Sequence, residues 1–341
     1  MPTGYFCDER AKGMNRNGQA GPSPATLKQL HFGRKVWSRL LPARSHFGYT
    51  YAGAEVFGQA ASDLIRKELL ASKPSMISRI GIVELNAVMN HYCALTGRKP
   101  SLLNHLGFIT GRFHSYGWEP DTFESMPRNA GFFPATEEAL GGFAERMMAD
   151  IPLIDILGTC HRDEWFVAEE LRNAVKVPLP DLEPHVHNDP WSSMLEGKKV
   201  LVVHPYEKSI RGQYEKRTLL FKDRRLLPDF ELKTVKAVQT VANTPSPFPT
   251  WFHALDHMKE QIDRTDYDIA IIGCGAYGLP LAAHIKRQGK KAVHLGGSTQ
   301  FMFGITGKRW DGHPLINEHW VRPSADETPS LAKQVEGGCY W

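Results

Sequence analysis

DIAIIGCGAYGLPLAAHIKRQGKKAVHLGG, residues 268–297, reads as one strand-turn-helix-turn-strand unit. An apolar run over 269–272 breaks at Gly273-Cys274-Gly275-Ala276-Tyr277-Gly278, continues with helical character to Gln288, and turns at Gly289 into a second short strand over 292–295. In such a G-x-G-x-x-G turn the first two glycines permit a tight turn and close backbone approach to a ligand. The third permits close helix packing, and the helix start favours an anion. The motif points to a phosphate site, or more plainly to a turn that needs small residues. A nicotinamide fingerprint expects an acidic residue about 20 positions on, at the end of the second strand. Here that strand ends His294-Leu295-Gly296-Gly297, with no carboxylate.

Working outward, the same alternation recurs. Phe57, Ala61, Leu64, Ile65 and Leu69 predict a helix stopping before Pro74, followed by a strand over 76–80. After Gly81 a second helix runs through Glu84, Leu85, Val88, Met89 and Tyr92 to about Gly97. Residues 98–135 carry Gly, Pro, His and aromatics without clean periodicity and read as a long connection, of the kind that is often functional. Thr136 caps a helix reaching Met148, with Glu137 and Glu138 in its first turn. Strands are expected over 152–158, 174–179, 199–204 and 231–238, and helices over 163–173, 191–195, from Glu207 through Tyr214, and over 251–264.

Strands alternating with helices predict an α/β fold, a mostly parallel sheet with helices on both faces, preceded by an irregular extension over residues 1–54. In such sheets ligands bind beyond the carboxyl ends of the strands. Three ends carry polar or glycine-rich turns: Arg79-Ile80-Gly81 with Glu84, His204-Pro205-Tyr206-Glu207, and Gly273 to Gly278. If their strands are parallel, the three turns line one cleft.

Composition bounds the rest. With 341 residues, 42% hydrophobic and 23% charged, the chain can bury a large core as an ordinary globular protein. No apolar run approaches the ~20 residues that cross a bilayer, and the N-terminus lacks a signal-peptide core. The five cysteines, Cys7, Cys93, Cys160, Cys274 and Cys339, form no C-x-x-C pair, so reducing cytosol is expected. A net charge of +4 suits nucleotides or an anionic membrane and falls short of a nucleic-acid footprint. Residues 27–44, LKQLHFGRKVWSRLLPAR, interleave leucines, Val36 and Trp37 with Lys28, Arg34, Lys35, Arg39 and Arg44. Such a segment either lies on a membrane surface or packs on its own domain. Asp181, Glu183, His185, His187 and Asp189 alternate in a Pro-rich stretch that reads as plain loop rather than a metal site.

KPSMISRIGIVE, residues 73–84, resembles the R-x-G-x-x-E opening of the GT-D class of bacterial glycosyltransferases, and the 268–297 unit resembles their C-terminal glycine turn. The resemblance, spanning roughly residues 57–341, implies a single Rossmann-like catalytic domain over 55–341. It implies transfer of a sugar from a nucleotide-sugar donor to a glycan or lipid-linked acceptor in surface-polysaccharide synthesis, with a divalent metal, Mn2+ or Mg2+. It assigns Arg79, Gly81 and Glu84 to the first motif. Many members carry D-x-E there, and Ile82 stands where the aspartate would, removing one metal ligand. Transfer chemistry needs cationic or backbone N–H groups on the departing diphosphate and a base near the acceptor. The candidates are therefore Glu84, Arg79 and Glu207 for catalysis, with Glu84 also the one metal ligand. Gly81, His204, Gly273, Gly275, Tyr277, Gly278, Lys308 and Arg309 are the candidates for holding the donor. The rival readings are an NAD(P)-dependent oxidoreductase and a non-catalytic nucleotide-binding or scaffold protein. A cytoplasmic protein, peripheral at the inner face of the membrane through 27–44, is the expected setting.

Overall fold

The computed structural model describes residues 21–40 and 53–341. Eight α-helices of eight residues or more occur among them. They are α1 (Pro24–Leu40), α2 (Gln59–Leu70), α3 (Ile82–Leu95), α4 (Leu102–Ile109), α5 (Glu137–Asp150), α6 (Glu207–Glu215), α7 (Trp251–Asp263) and α8 (Gly278–Arg287). Seven strands, β1 (Ser75–Ser78), β2 (Ile156–Thr159), β3 (Val175–Pro178), β4 (Lys199–His204), β5 (Glu231–Lys236), β6 (Ile269–Ile272) and β7 (Lys291–His294), form one sheet of order β3-β2-β1-β7-β6-β4-β5. Every pairing is parallel, as the alternation of strands and helices predicts.

Successive residues of a strand face opposite sides, and the core divides accordingly. Met76, Leu157, Leu201, Val203, Ala270, Ile272 and Ala292 face a layer built from α3, α5, α7 and α8. Ile77, Ile156, Val200, Val202, Ile269, Ile271 and Val293 face α2, α6 and the segment around Phe301 to Ile305. The β4–β5 connection steps outward through α6, while the β6–β7 connection steps the other way through α8 on the opposite layer. The connections therefore diverge between β4 and β6, the kind of crevice where open α/β sheets bind ligands.

Three local readings differ from expectation. The 163–173 helix is a 3-10 turn, Arg162–Val167, because the Glu164 carboxylate folds back onto Thr159 and the N–H groups of Cys160 and His161, and the chain must rejoin the sheet at Val175. The strand expected over 152–158 is delayed to Ile156 by a turn at Ile151–Leu153. The 98–135 connection holds α4, capped by the Ser101 hydroxyl, a short helix Pro120–Ser125 and a π turn Met126–Ala130.

The basic segment is helical over Pro24–Leu40 and packs on α4, and its residues 41–44 lie outside the described residues. Arg34 is not solvated. Its guanidinium donates to the carbonyls of Phe108, Phe113 and His114 at 2.7, 2.7 and 2.8 Å and lies 3.5 Å over the Phe108 ring. No helix among the described residues is long and apolar enough to cross a membrane.

Candidate functional site

β1 ends at Ser78, and Arg79-Ile80-Gly81 leads into α3. A Cβ at residue 81 would fall 1.9 Å from Glu84 Oε2 and 2.4 Å from the carboxyl carbon. Glycine thus leaves room for Glu84 to fold back over the first turn, which gives the R-x-G-x-x-E spacing a physical reason. Burial pushes the Glu84 carboxyl above its usual range, against the opposing pull of its own N–H and of Arg79, and Glu336 adds to the rise. Arg79 lies within electrostatic reach of Glu84 and Glu183 and hydrogen-bonds the Cys160 thiol, yet its buried Nε has no partner among the described residues.

β4 ends at His204. Its Nδ1 accepts the Tyr206 N–H at 3.0 Å, and burial holds its pKa down to about 3, so the ring is a neutral imidazole. β6 ends at Ile272 and leads into Gly273, where a Cβ would meet the Gly296 carbonyl at 2.5 Å, Thr299 Oγ1 at 2.6 Å and His204 Cδ2 at 2.8 Å. Glycine here lets the ends of β4, β6 and β7 meet. Gly275 adopts φ +57°, and a Cβ there would lie 2.8 Å from the Ala130 carbonyl oxygen. The backbone N–H groups of Cys274 and Gly275 have no protein acceptor among the described residues. Tyr277 stacks on Trp251, with centroids 5.0 Å apart and planes 9° from parallel, and its hydroxyl lies 3.5 Å from Thr240 Oγ1.

These three turns surround one cavity of about 340 Å³, within the range of small-molecule sites. Arg79, Gly81, Glu84, His204, Gly273, Gly275, Tyr277 and Arg309 all line it. Three candidates do not. Glu207 accepts from the Thr234 hydroxyl and pairs with Arg211 at 3.0 Å, on the β5 side of α6. Gly278 faces His294, whose Nε2 would lie 2.1 Å from a Cβ at that position. Its smallness serves helix packing rather than ligand approach. Lys308 is exposed and contributes its N–H to the Trp341 carbonyl at 3.2 Å.

The segment Val335 to Trp341 forms the remaining wall. Glu336, Gly337 and Gly338 have φ values of +46°, +71° and +78°, and this turn brings Glu336, Tyr340 and Trp341 onto the cavity. Arg309 Nη2 binds Glu336 at 2.9 Å, Cys339 Sγ at 3.4 Å and the Tyr340 hydroxyl at 3.3 Å. Glycines receive the segment: a Cβ at Gly297 would come within 2.4 Å of the Tyr340 ring, and one at Gly307 within 2.6 Å of its carbonyl. Cys160, Thr240, His294, Glu336, Tyr340 and Trp341 are lining residues that sequence reasoning missed. Only the paired glycines at 296–297 and 337–338 hint at close packing there. Besides Arg79 Nε, the lining residue Asn129 has a buried polar atom, Oδ1, without a partner among the described residues.

The donor set does not fit a metal held by the protein alone. Ile82 lines the cavity where an aspartate would stand, Glu336 is taken by Arg309, and no cluster of three ligating side chains occurs among the described residues. No family model matches the chain, and no curated protein or solved structure matches it either.

Proposed function

We propose that the cleft binds a nucleoside diphosphate sugar and that the protein is a glycosyltransferase of GT-D type, acting on a glycan or lipid-linked acceptor in polysaccharide biosynthesis at the cytoplasmic side of a membrane. The observation that carries the reading is the convergence of Arg79, Glu84 and the Cys274–Gly275 backbone around one cavity, with Arg309 beside them. Two guanidinium groups and free N–H groups line the same cavity as the Glu84 carboxyl, which combines anion-binding groups with a base.

In this reading Arg79, Arg309 and the N–H groups before α8 hold the diphosphate and take up the charge that develops as it leaves. The acceptor hydroxyl attacks the anomeric carbon, the bond from that carbon to the diphosphate oxygen breaks, and the hydroxyl proton passes to Glu84. The products are the glycoside and a nucleoside diphosphate. Burial of Glu84 suits it to this task, since a carboxyl raised above its usual range is a stronger base than an ordinary one. Arg79 keeps part of its charge stabilised until the proton arrives. No step is routed through a metal, given the donor set above. His294 and Leu295, where a dinucleotide-binding acid would stand, are both buried and apolar or neutral, which disfavours the oxidoreductase reading.

Thermal unfolding with UDP, GDP, dTDP, CMP, NAD and NADP, each with and without Mn2+ or Mg2+, tests this. A ligand at ~100 times its Kd adds ~2.7 kcal/mol, a rise of roughly 4 °C for a chain of this size. A rise with one nucleoside diphosphate supports the reading and names the donor. A rise with NAD or NADP alone overturns it.

A further inference from the structure

The described residues expose eleven large apolar side chains, and six of them stand on α1 and α4: Phe32, Val36 and Leu40, and Leu102, Leu103 and Leu106. Four of these six are more than two-thirds exposed: Phe32 69%, Leu40 71%, Leu102 77% and Leu103 71%. The two helices pack on each other through Leu30 and Phe108, with Phe113 and Tyr116 from the segment after α4 completing the cluster and the Arg34 guanidinium tying them together. Their inward faces are thus already satisfied, and the exposed side chains are surplus to the fold. Isolated exposed leucines need no explanation, but six on one helix pair do.

Charge identifies the occupant. On α1, Phe32, Val36 and Leu40 follow an i, i+4, i+8 spacing and form one stripe, and Lys28, Lys35 and Arg39 run beside it at −4, +3 and +7 from Phe32. All three cations are exposed. Neither α1 nor α4 contains an Asp or Glu, and exposed Lys99 stands just before the α4 cap. A protein partner matched to the apolar stripe alone would not require cations along its whole edge. An anionic bilayer requires both: an apolar stripe at the acyl boundary and cations at the headgroup phosphates.

We propose that α1 and α4 form a docking face for an anionic lipid bilayer, with Phe32, Val36 and Leu40 entering the acyl boundary and Lys28, Lys35 and Arg39 meeting lipid phosphates. At 17 residues α1 spans about 25 Å and lies in the plane of the interface. The face shares no residue with the cleft lining, so this inference stands whether or not the reading of the cleft does.

Cosedimentation of the full chain with vesicles is the test. Binding is expected to phosphatidylcholine vesicles containing about a third phosphatidylglycerol, to weaken steeply with salt, and to be absent with phosphatidylcholine alone. Phe32→Glu with Leu40→Glu abolishes binding, and Lys28→Gln, Lys35→Gln and Arg39→Gln together lower it on the order of a hundredfold. Because these side chains are exposed, melting temperatures and any nucleotide-induced rise stay at wild-type values. No binding to anionic vesicles at low salt, equal binding to neutral ones, or a dimer in solution that dissociates in the Phe32→Glu variant would each overturn the proposal.

Discussion

Gly278→Ala separates a packing glycine from a ligand-binding one. A Cβ at 278 would lie 2.1, 2.6 and 2.8 Å from Nε2, Cδ2 and Cε1 of His294. Ordinary contact is about 3.5–4.0 Å, so the ring must retreat by about 1.5 Å. Retreat toward the cavity it lines breaks the bond that its Nδ1 makes with the fully buried Ser78 hydroxyl at 3.0 Å. Overpacking costs about 1–3 kcal/mol and loss of the Ser78 bond about 1, while replacing glycine in the unfolded chain returns about 0.4–1. The net expectation is a loss of about 1–3 kcal/mol, read as a lower urea midpoint at unchanged slope. In a His294→Ala background the obstruction is gone, and the same substitution should be neutral or slightly stabilising. Full wild-type stability of Gly278→Ala, or an equal cost in both backgrounds, would refute the argument. Weakened nucleotide binding at unchanged stability would return Gly278 to the ligand.

Glu84→Gln should lower transfer by roughly 10²–10⁴-fold while leaving nucleotide affinity within a few-fold, measured by turnover and calorimetry. The same substitution affects stability with a defined sign. Burial raises the folded pKa, so the contribution of the protonated carboxyl is full below ~4.3 and is lost as pH rises through the folded value. Glu84→Gln therefore gains on wild type as pH rises, which melting temperatures between pH 4 and 8 would show. His204 and His294 sit at about 3 when folded and near ~6.5 when unfolded, so their contribution is present above ~6.5 and fades as pH falls toward 3. His204→Gln should flatten the acid limb of the stability profile. Arg79→Met should weaken nucleoside diphosphate binding by about 10–100-fold through loss of a charge-assisted contact, measured by calorimetry on the folded variant.

The sheet was legible because its signals are local. KVLVVH at 199–204 and IAII at 269–272 are apolar runs whose length and β-branched content leave little choice of element. The three strand-end turns could be named in advance, since a parallel sheet places every strand's carboxyl end on one edge. Their convergence depended only on the sheet being parallel. What escaped was decided by distant partners. α4 reads LLNHLGFI, apolar on both its buried and its exposed faces, so it has no amphipathic period to detect. Arg34 looks like any solvated cation, and only three carbonyls more than 70 positions away make it a core residue. Glu207 and Lys308 have the right residue types at the right distance from a strand or glycine turn, but Glu207 is held by Thr234 on β5 and Lys308 is exposed outside the cavity. The 335–341 wall depends on left-handed residues and on glycines at 297 and 307, contacts that no sequence period encodes.

β1 lies between β2 and β7, which brings together segments from opposite ends of the sheet's sequence. On a ribosome, β1, β2 and β3 emerge early and can associate at once, but one edge of β1 stays unpaired until β7 arrives roughly 200 residues later. At about 5–20 residues per second that edge stays open for about 10–40 s. During that interval Met76 and Ile77 sit on an unpaired, apolar parallel edge, the kind of surface that recruits other chains. Yield in vivo should then depend on chaperone supply and elongation rate more than on the stability of the finished fold.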